Sequence, residues 1–317
     1  MDGGRRIRVL YIGGWGRSGS TLLERMLGQI PGVVATGEVR EIWQRGLQEN
    51  RACGCGERFL ECAFWTSVGN EAYGGWDRVD LERLLDLRFS LDRPWSYPEL
   101  RIAHRATPVS GRVGEYEQHL VKLYRGISTV SGADVIVDSS KIPTHGFLLA
   151  GTGVIDLRVL HLVRDSRGVA FSWAKRVEKK VPGQDPYFLP RYGPFGSAIR
   201  WDVYNLMATR LRRPARAYAK MRYEDLIRDP EAKLDEILHL AGLDVQPGWL
   251  TFLQEGSANL HVDHTVDGNP VRWAKGPIEL RADEEWKQRM SRSDRALVTV
   301  LTAPMLSAYR YRLGAGK

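Results

Sequence analysis

Short apolar runs, each closed by glycine, serine or charge, alternate with longer stretches of helical spacing. Val9, Leu10, Tyr11 and Ile12 form the first run. Residues 134–138, 157–163 and 217–223 form three more. Such runs read as buried strands. Between them, residues 21–29 place Leu22, Leu23, Met26 and Leu27 on one helical face. Residues 112–131 do the same with Val113, Tyr116, Leu120, Leu123 and Ile127. Further helices are predicted over residues 38–48, 167–179 and 197–212, from 226 to 240, and over 283–290 and 293–309. Strand–helix alternation of this kind predicts an α/β fold of three layers, a central parallel sheet flanked by helices. One domain over residues 1–317 is expected, with residues 50–112 as a variable insertion that shapes a substrate pocket. That insertion is the least regular part. Trp65, Trp76 and Trp95 lie among glycine, proline and charge, and Val79, Leu81, Leu84 and Leu85 suggest one short helix. Residues 175–192, basic and then rich in proline and glycine, read as a lid or acceptor-binding loop, or equally as a bent surface connection.

The first strand runs into Gly13, Gly14 and Gly16 and then into a helix. Strand, glycine-rich turn and helix make a phosphate-binding loop, because turn N–H groups and the positive end of the helix dipole converge on one point. Gly14 to Thr21 fits G-x-x-x-x-G-K-[ST] except that Ser20 stands in the lysine position. Loss of that lysine argues against nucleoside triphosphate hydrolysis. Arg17 supplies a cation earlier in the loop. The plainer reading is a glycine turn that only joins strand to helix.

Gly16-Arg17-Ser18-Gly19-Ser20-Thr21-Leu22-Leu23 resembles the 5′-phosphosulfate loop of sulfotransferases that use 3′-phosphoadenosine-5′-phosphosulfate (PAPS). The continuation PGVVATGEVR, residues 31–40, is similar to the segment after that loop in tyrosylprotein and carbohydrate sulfotransferases. A second match, LVRDSRGVAFS over residues 162–172, resembles the family's 3′-phosphate motif. The resemblance implies a P-loop-like sulfotransferase fold and in-line transfer of a sulfuryl group from PAPS to a hydroxyl or amine, leaving 3′,5′-ADP. It implies that Arg164 and Ser172 hold the 3′-phosphate, that Glu38 is the general base, and that Lys141 faces the transferring group with Arg17. A late run, residues 264–276, resembles the loop that closes the nucleotide site in several sulfotransferases. There Arg272 or Lys275 would reach the 3′-phosphate and Trp273 would stack on adenine, with Gly276 completing the loop.

The residues themselves leave other roles open. Glu38 could merely complement a helix dipole. Lys141 follows a buried strand, at the sheet edge where ligands bind in open α/β folds, yet a solvated loop lysine is the alternative. Ser172 could be an ordinary helical serine, and Asp165 the acid of a structural ion pair. His104 reads as a surface or packed residue and His161 as a core one.

A net charge of +8 and a pI near 9.4 favour anionic ligands. Lysines and arginines are scattered, which argues against nucleic acid, and no apolar run approaches a membrane span. The chain enters its first strand directly, which predicts no secretory signal and a cytoplasmic protein. Cys53, Cys55 and Cys62 are three in number, against a disulfide framework. They could hold zinc, but a structural site wants four ligands and no nearby Cys or His follows, so reduced thiols and no metal are expected. A carbohydrate, glycolipid, nucleoside, peptide or other small molecule could be the acceptor. The rival functions are a small-molecule kinase, which would need the missing lysine and Mg²⁺ ligands, and a basic module for nucleic acid or membrane surfaces.

Overall fold

In the computed structural model, strand β1 (Ile7–Gly14) lies at the centre of a five-stranded sheet. The strands β2 (Val33–Ala35), β3 (Val135–Lys141), β4 (Ile155–Val163) and β5 (Ala217–Arg222) complete it. Their order is β2-β3-β1-β4-β5, and every pairing is parallel. The structure describes residues 6–106, 108–176, 178–179, 187–188 and 190–314.

Helix α1 (Ser20–Leu27) leaves β1. Between β2 and β3 come α2 (Ala63–Tyr73), α3 (Leu81–Leu91), α4 (Tyr97–Ala103) and α5 (Gly111–Ser131). Helices α6 (Pro143–Gly151) and α7 (Ser166–Ala174) follow β3 and β4, and α8 (Pro194–Arg210) leads towards β5. The chain continues through α9 (Tyr223–Arg228), α10 (Pro230–Ala241), α11 (Trp286–Arg289) and α12 (Arg292–Ala308). Successive side chains of β1 point to opposite faces. Val9 and Tyr11 join one core with Trp65, Leu84, Leu120 and Leu148, while Leu10 and Ile12 join another with Leu23, Leu27, Leu234 and Leu238. Burial on both faces explains why these strands read as continuous apolar runs. The three-layer α/β class expected from the sequence is the one observed.

Several elements differ from expectation. The edge strand β2 is only three residues long and sits inside a glycine-bounded turn, too short to stand out. Residues 38–48 form a 3₁₀ turn, Val39–Glu41, and then a π-helical stretch, Ile42–Gln48, rather than one α-helix. Helix α7 stops at Ala174, because Glu178–Lys179 pairs with Tyr187–Phe188 in a two-residue ladder. Much of the lid or acceptor-binding loop expected over residues 175–192 lies outside the described residues. Residues 50–112 hold helices α2 and α4 that the sequence does not announce, and Trp65 and Val68 pack into the same core as β1. A small antiparallel sheet, Leu253–Gln254, Ser257–Leu260 and Gly276–Glu279, is also unannounced.

In a parallel sheet all carboxyl ends share one edge, and here that edge collects the segments read as functional. Arg17 follows β1, Glu38 follows β2, Lys141 ends β3 and Arg164 follows β4.

Candidate active site

The loop after β1 is the glycine-rich turn expected to cradle an anion, and its geometry is specific. Gly19 takes φ +84°, and its face is closed by the Tyr223 ring, so a side chain there has neither the backbone nor the room. Arg17 takes φ +68° despite its side chain, a strained conformation found at ligand sites. Its guanidinium lies 4.7 Å from the centre of the Trp173 ring. Burial lowers the Arg17 pKa, the Glu38 charge opposes that shift, and Arg164 adds to it. Ser18 Oγ donates to Trp15 O at 2.8 Å, which braces the turn. Ser20 and Thr21 are buried at the start of α1. Leu22 is half-buried beside them, and Gly16 lies under Trp173. Three buried donors, Trp15 Nε1, Arg17 Nε and Trp173 Nε1, have no hydrogen-bond partner among the described residues. Unsatisfied buried donors are costly, and these three lie around one ring cluster beside the loop.

The pair facing this loop is Glu38 and Lys141, whose Oε1 and Nζ are 2.6 Å apart. A register shift between β1 and β3, just before Lys141, works as a β-bulge, and Lys141 itself takes φ +67°. Bulges beside active sites re-aim side chains. Here Lys141 Nζ also donates to Ser139 O at 2.8 Å. Burial raises the Glu38 pKa above the usual carboxylate range. Lys141 opposes this, while the like charge of Asp267 reinforces it. Gly37, at φ +80°, permits the approach of a later loop: a Cβ there would lie 2.7 Å from Val266 N. Behind the pair, the buried Glu24 of α1 accepts from Gly37 N at 2.5 Å and Ser139 Oγ at 2.6 Å. One carboxyl group thus joins α1, the Glu38 loop and β3. Nothing in the sequence singles out Glu24, because a helical glutamate carries no signal of burial.

Arg164 lies beside the loop: its Nη1 donates to Arg17 O at 3.1 Å, and its Nη2 pairs with Asp283 Oδ2 at 3.2 Å. Ser172 lies half-buried in α7. The N-cap of α7 is Asp165, which also pairs with Arg167 at 2.7 Å, the structural role left open for it. His161 is buried between Tyr218 Oη and Asn205 Oδ1, both at 2.8 Å, and burial lowers its pKa to about 4. His104 binds Glu117 at 2.6 Å.

The late loop is held by buried contacts of its own. Arg272 is 1% exposed, and its guanidinium donates to the carbonyls of Thr265 and Ala52. It also covers the Trp273 ring, 4.3 Å from the ring centre, and Trp273 Nε1 donates to Cys53 O at 3.0 Å. These bonds use the Arg272 guanidinium to join two loops. Lys275 is exposed, and Gly276 opens a strand of the small sheet. The loop still reaches the cradle, since Asn269 N donates to Thr21 Oγ1 at 3.2 Å.

The cysteines have a neighbour that chain order hides: His264 Nδ1 lies 3.3 Å from Cys62 Sγ although 202 residues separate them. A search for nearby ligands along the chain could not find it.

A parallel three-layer α/β sheet with a glycine-rich loop on its central strand and an acid–lysine pair on the same edge has a P-loop-like architecture. The chain belongs to the sulfotransferase family, whose model matches residues 10–247. Sulfuryl transfer is therefore its class of reaction. Among solved structures it is similar to the sulfotransferase domain from the curacin biosynthetic pathway, with 15% identity, 98% of this chain and 100% of that one covered, and a TM-score of 0.53. It is also similar to the sulfotransferase domain of the olefin synthase of Synechococcus PCC 7002, with 17% identity, 98% of each chain covered, and a TM-score of 0.50. At such identities the likeness is one of fold. No curated protein matches in sequence. Among the described residues no helix is long and apolar enough to cross a membrane.

Proposed function

We propose that the protein transfers a sulfuryl group from PAPS to a hydroxyl or amine of a small-molecule, glycan or glycolipid acceptor, with Glu38 as general base. The observation that carries this reading is the nearness of Arg17, whose buried Nε has no hydrogen-bond partner among the described residues, to the charge of Glu38, itself paired with Lys141. Bound PAPS would supply the sulfuryl group. Gly16, Arg17, Ser18, Gly19, Ser20, Thr21 and Leu22 form the cradle for its 5′ end, where backbone N–H groups and the α1 dipole favour an anion. Arg164 and Ser172 bind the 3′-phosphate, for which the planar guanidinium is suited. Exposed Lys275 adds positive charge at the end of the loop. Glu38, its pKa raised by burial, takes the proton of the acceptor nucleophile. Arg17 and Lys141 stabilise negative charge on the leaving oxygen, the positioning and electrostatic role that dominates the related phosphoryl transfers.

Calorimetric titration with 3′,5′-ADP, against 5′-AMP and ATP–Mg²⁺, tests the donor. The expected result is a preference for 3′,5′-ADP that Arg164→Ala weakens by about 10–100-fold, the worth of hydrogen bonds to a charged group. A preference for ATP–Mg²⁺ would move the reading to a kinase.

A further inference from the structure

Away from the Glu38–Lys141 pair, the insertion and the late loop bring four soft donors to one point. Cys62 Sγ lies 3.7 Å from both Cys53 Sγ and Cys55 Sγ, and 3.3 Å from His264 Nδ1. Cys53 Sγ is 3.8 Å from the same nitrogen, and all four donor atoms lie within 4.8 Å of one another. In a tetrahedral zinc shell, with Zn–S about 2.3 Å and Zn–N about 2.0 Å, neighbouring donors are roughly 3.5–3.8 Å apart. A disulfide would instead need its sulfurs about 2.05 Å apart. We infer that Cys53, Cys55, Cys62 and His264 bind a structural zinc ion.

The donor set selects the metal. Three sulfurs and an imidazole nitrogen suit zinc and are poor ligands for magnesium or calcium. Four protein ligands leave no open position, which makes the site structural rather than catalytic. The thiols give up their protons as the ion binds.

The surroundings hold the donors in place. Trp65 Nε1 donates to His264 O at 2.8 Å, and the Phe64 ring stacks on the His264 ring at 4.9 Å and 14°. Gly54 N donates to Thr265 O at 2.9 Å. Such supporting contacts orient metal ligands. The ion would fasten the insertion to the loop that carries Val266 against Thr36 and Asn269 against Thr21. It would therefore brace the active-site edge from outside the reaction centre. This inference does not depend on the identity of the sulfuryl donor.

The test is the metal content of the full chain, purified under reducing conditions without chelator. The expected result is about one zinc per chain, as a closed site of this kind holds. Cobalt-grown protein should show tetrahedral d–d bands and thiolate-to-cobalt charge transfer. Cys62→Ser and His264→Ala should lose the metal, whereas His264→Cys should keep it with a stronger charge-transfer band. Chelation should lower the unfolding temperature of the wild type. A wild-type chain that holds no zinc and takes up none from zinc chloride with its thiols reduced would overturn the inference. So would an octahedral cobalt spectrum, a disulfide among the three cysteines of the freshly purified chain, or undiminished metal in the Cys53→Ser/Cys55→Ser/Cys62→Ser variant. If the serine and alanine variants do not fold, the wild-type metal content and cobalt spectrum decide alone.

Discussion

Glu38 sits between two opposing influences, and its behaviour with pH follows from them. Burial raises its pKa, and Lys141, 2.6 Å away, pulls it back down. A general base works only when deprotonated, so activity is lost as pH falls through its pKa. The acidic limb of kcat/KM should therefore lie above the ordinary glutamate value of about 4.3. Lys141→Met removes the opposing charge and should move that limb to higher pH, besides lowering the rate. Glu38→Gln should lower kcat by about 10²–10⁴-fold and abolish the limb, with 3′,5′-ADP binding nearly unchanged. Pre-steady-state and pH–rate measurements on the three proteins check this. A Glu38→Gln enzyme with nearly full activity would remove the base assignment.

At the scale of elements, α1 is tied to its neighbours by Glu24, whose carboxyl is fully buried and whose pKa burial raises to about 8. The unfolded chain ionises this group near 4.3 while the folded chain keeps its proton. The contribution of this group to folding stability should therefore be fully present below about pH 4 and fall as pH rises towards 8, with a slope approaching about 1.4 kcal/mol per pH unit. Glu24→Gln can keep both hydrogen bonds, to Gly37 N and Ser139 Oγ, without the ionisable proton. Its urea-unfolding free energy should lack that decline, so the variant gains on the wild type between pH 5 and 8, in line with the Glu24 shift. Parallel curves for the two proteins would show that Glu24 is ionised in the fold. Glu24 also illustrates what the sequence conceals. The strands β1, β3, β4 and β5 are legible because burial on both faces leaves continuous apolar runs. The loop, Lys141 and Arg164 stand out because each directly follows or ends a readable strand, whereas Glu38 follows the unreadable β2 and is singled out only by the resemblance of residues 31–40. By contrast, the π-helical Ile42–Gln48 has no distinct side-chain period, and β2 has only three residues. Arg272 and His264 take their places through partners about 200 residues away, Ala52 and Cys62, which local pattern cannot supply.

Across the whole molecule, one buried cation helps to hold the late loop over the glycine-rich loop. Arg25 of α1 is fully buried. Its Nε pairs with Asp263 Oδ2 at 3.0 Å, and its Nη1 and Nη2 donate to Val271 O at 2.7 Å and His261 O at 2.8 Å. Asp263 in turn accepts from Thr265 N and Oγ1. The helix that begins at the anion loop is thus bonded to both ends of the segment that covers it. Removing one member of a buried pair strands the other charge, so Arg25→Met should destabilise the protein by about 3–5 kcal/mol. It should also raise the KM for the donor, because Asn269 loses its seat on Thr21. Asp263→Asn keeps the shape of the acid and removes its charge. Combined with Arg25→Met, it should be less destabilising than the sum of the two single changes, because no uncompensated charge then remains buried. Urea unfolding of the four proteins measures that coupling. A coupling near zero would mean that the two carbonyl bonds of Arg25, rather than its charge, fasten the loop to α1.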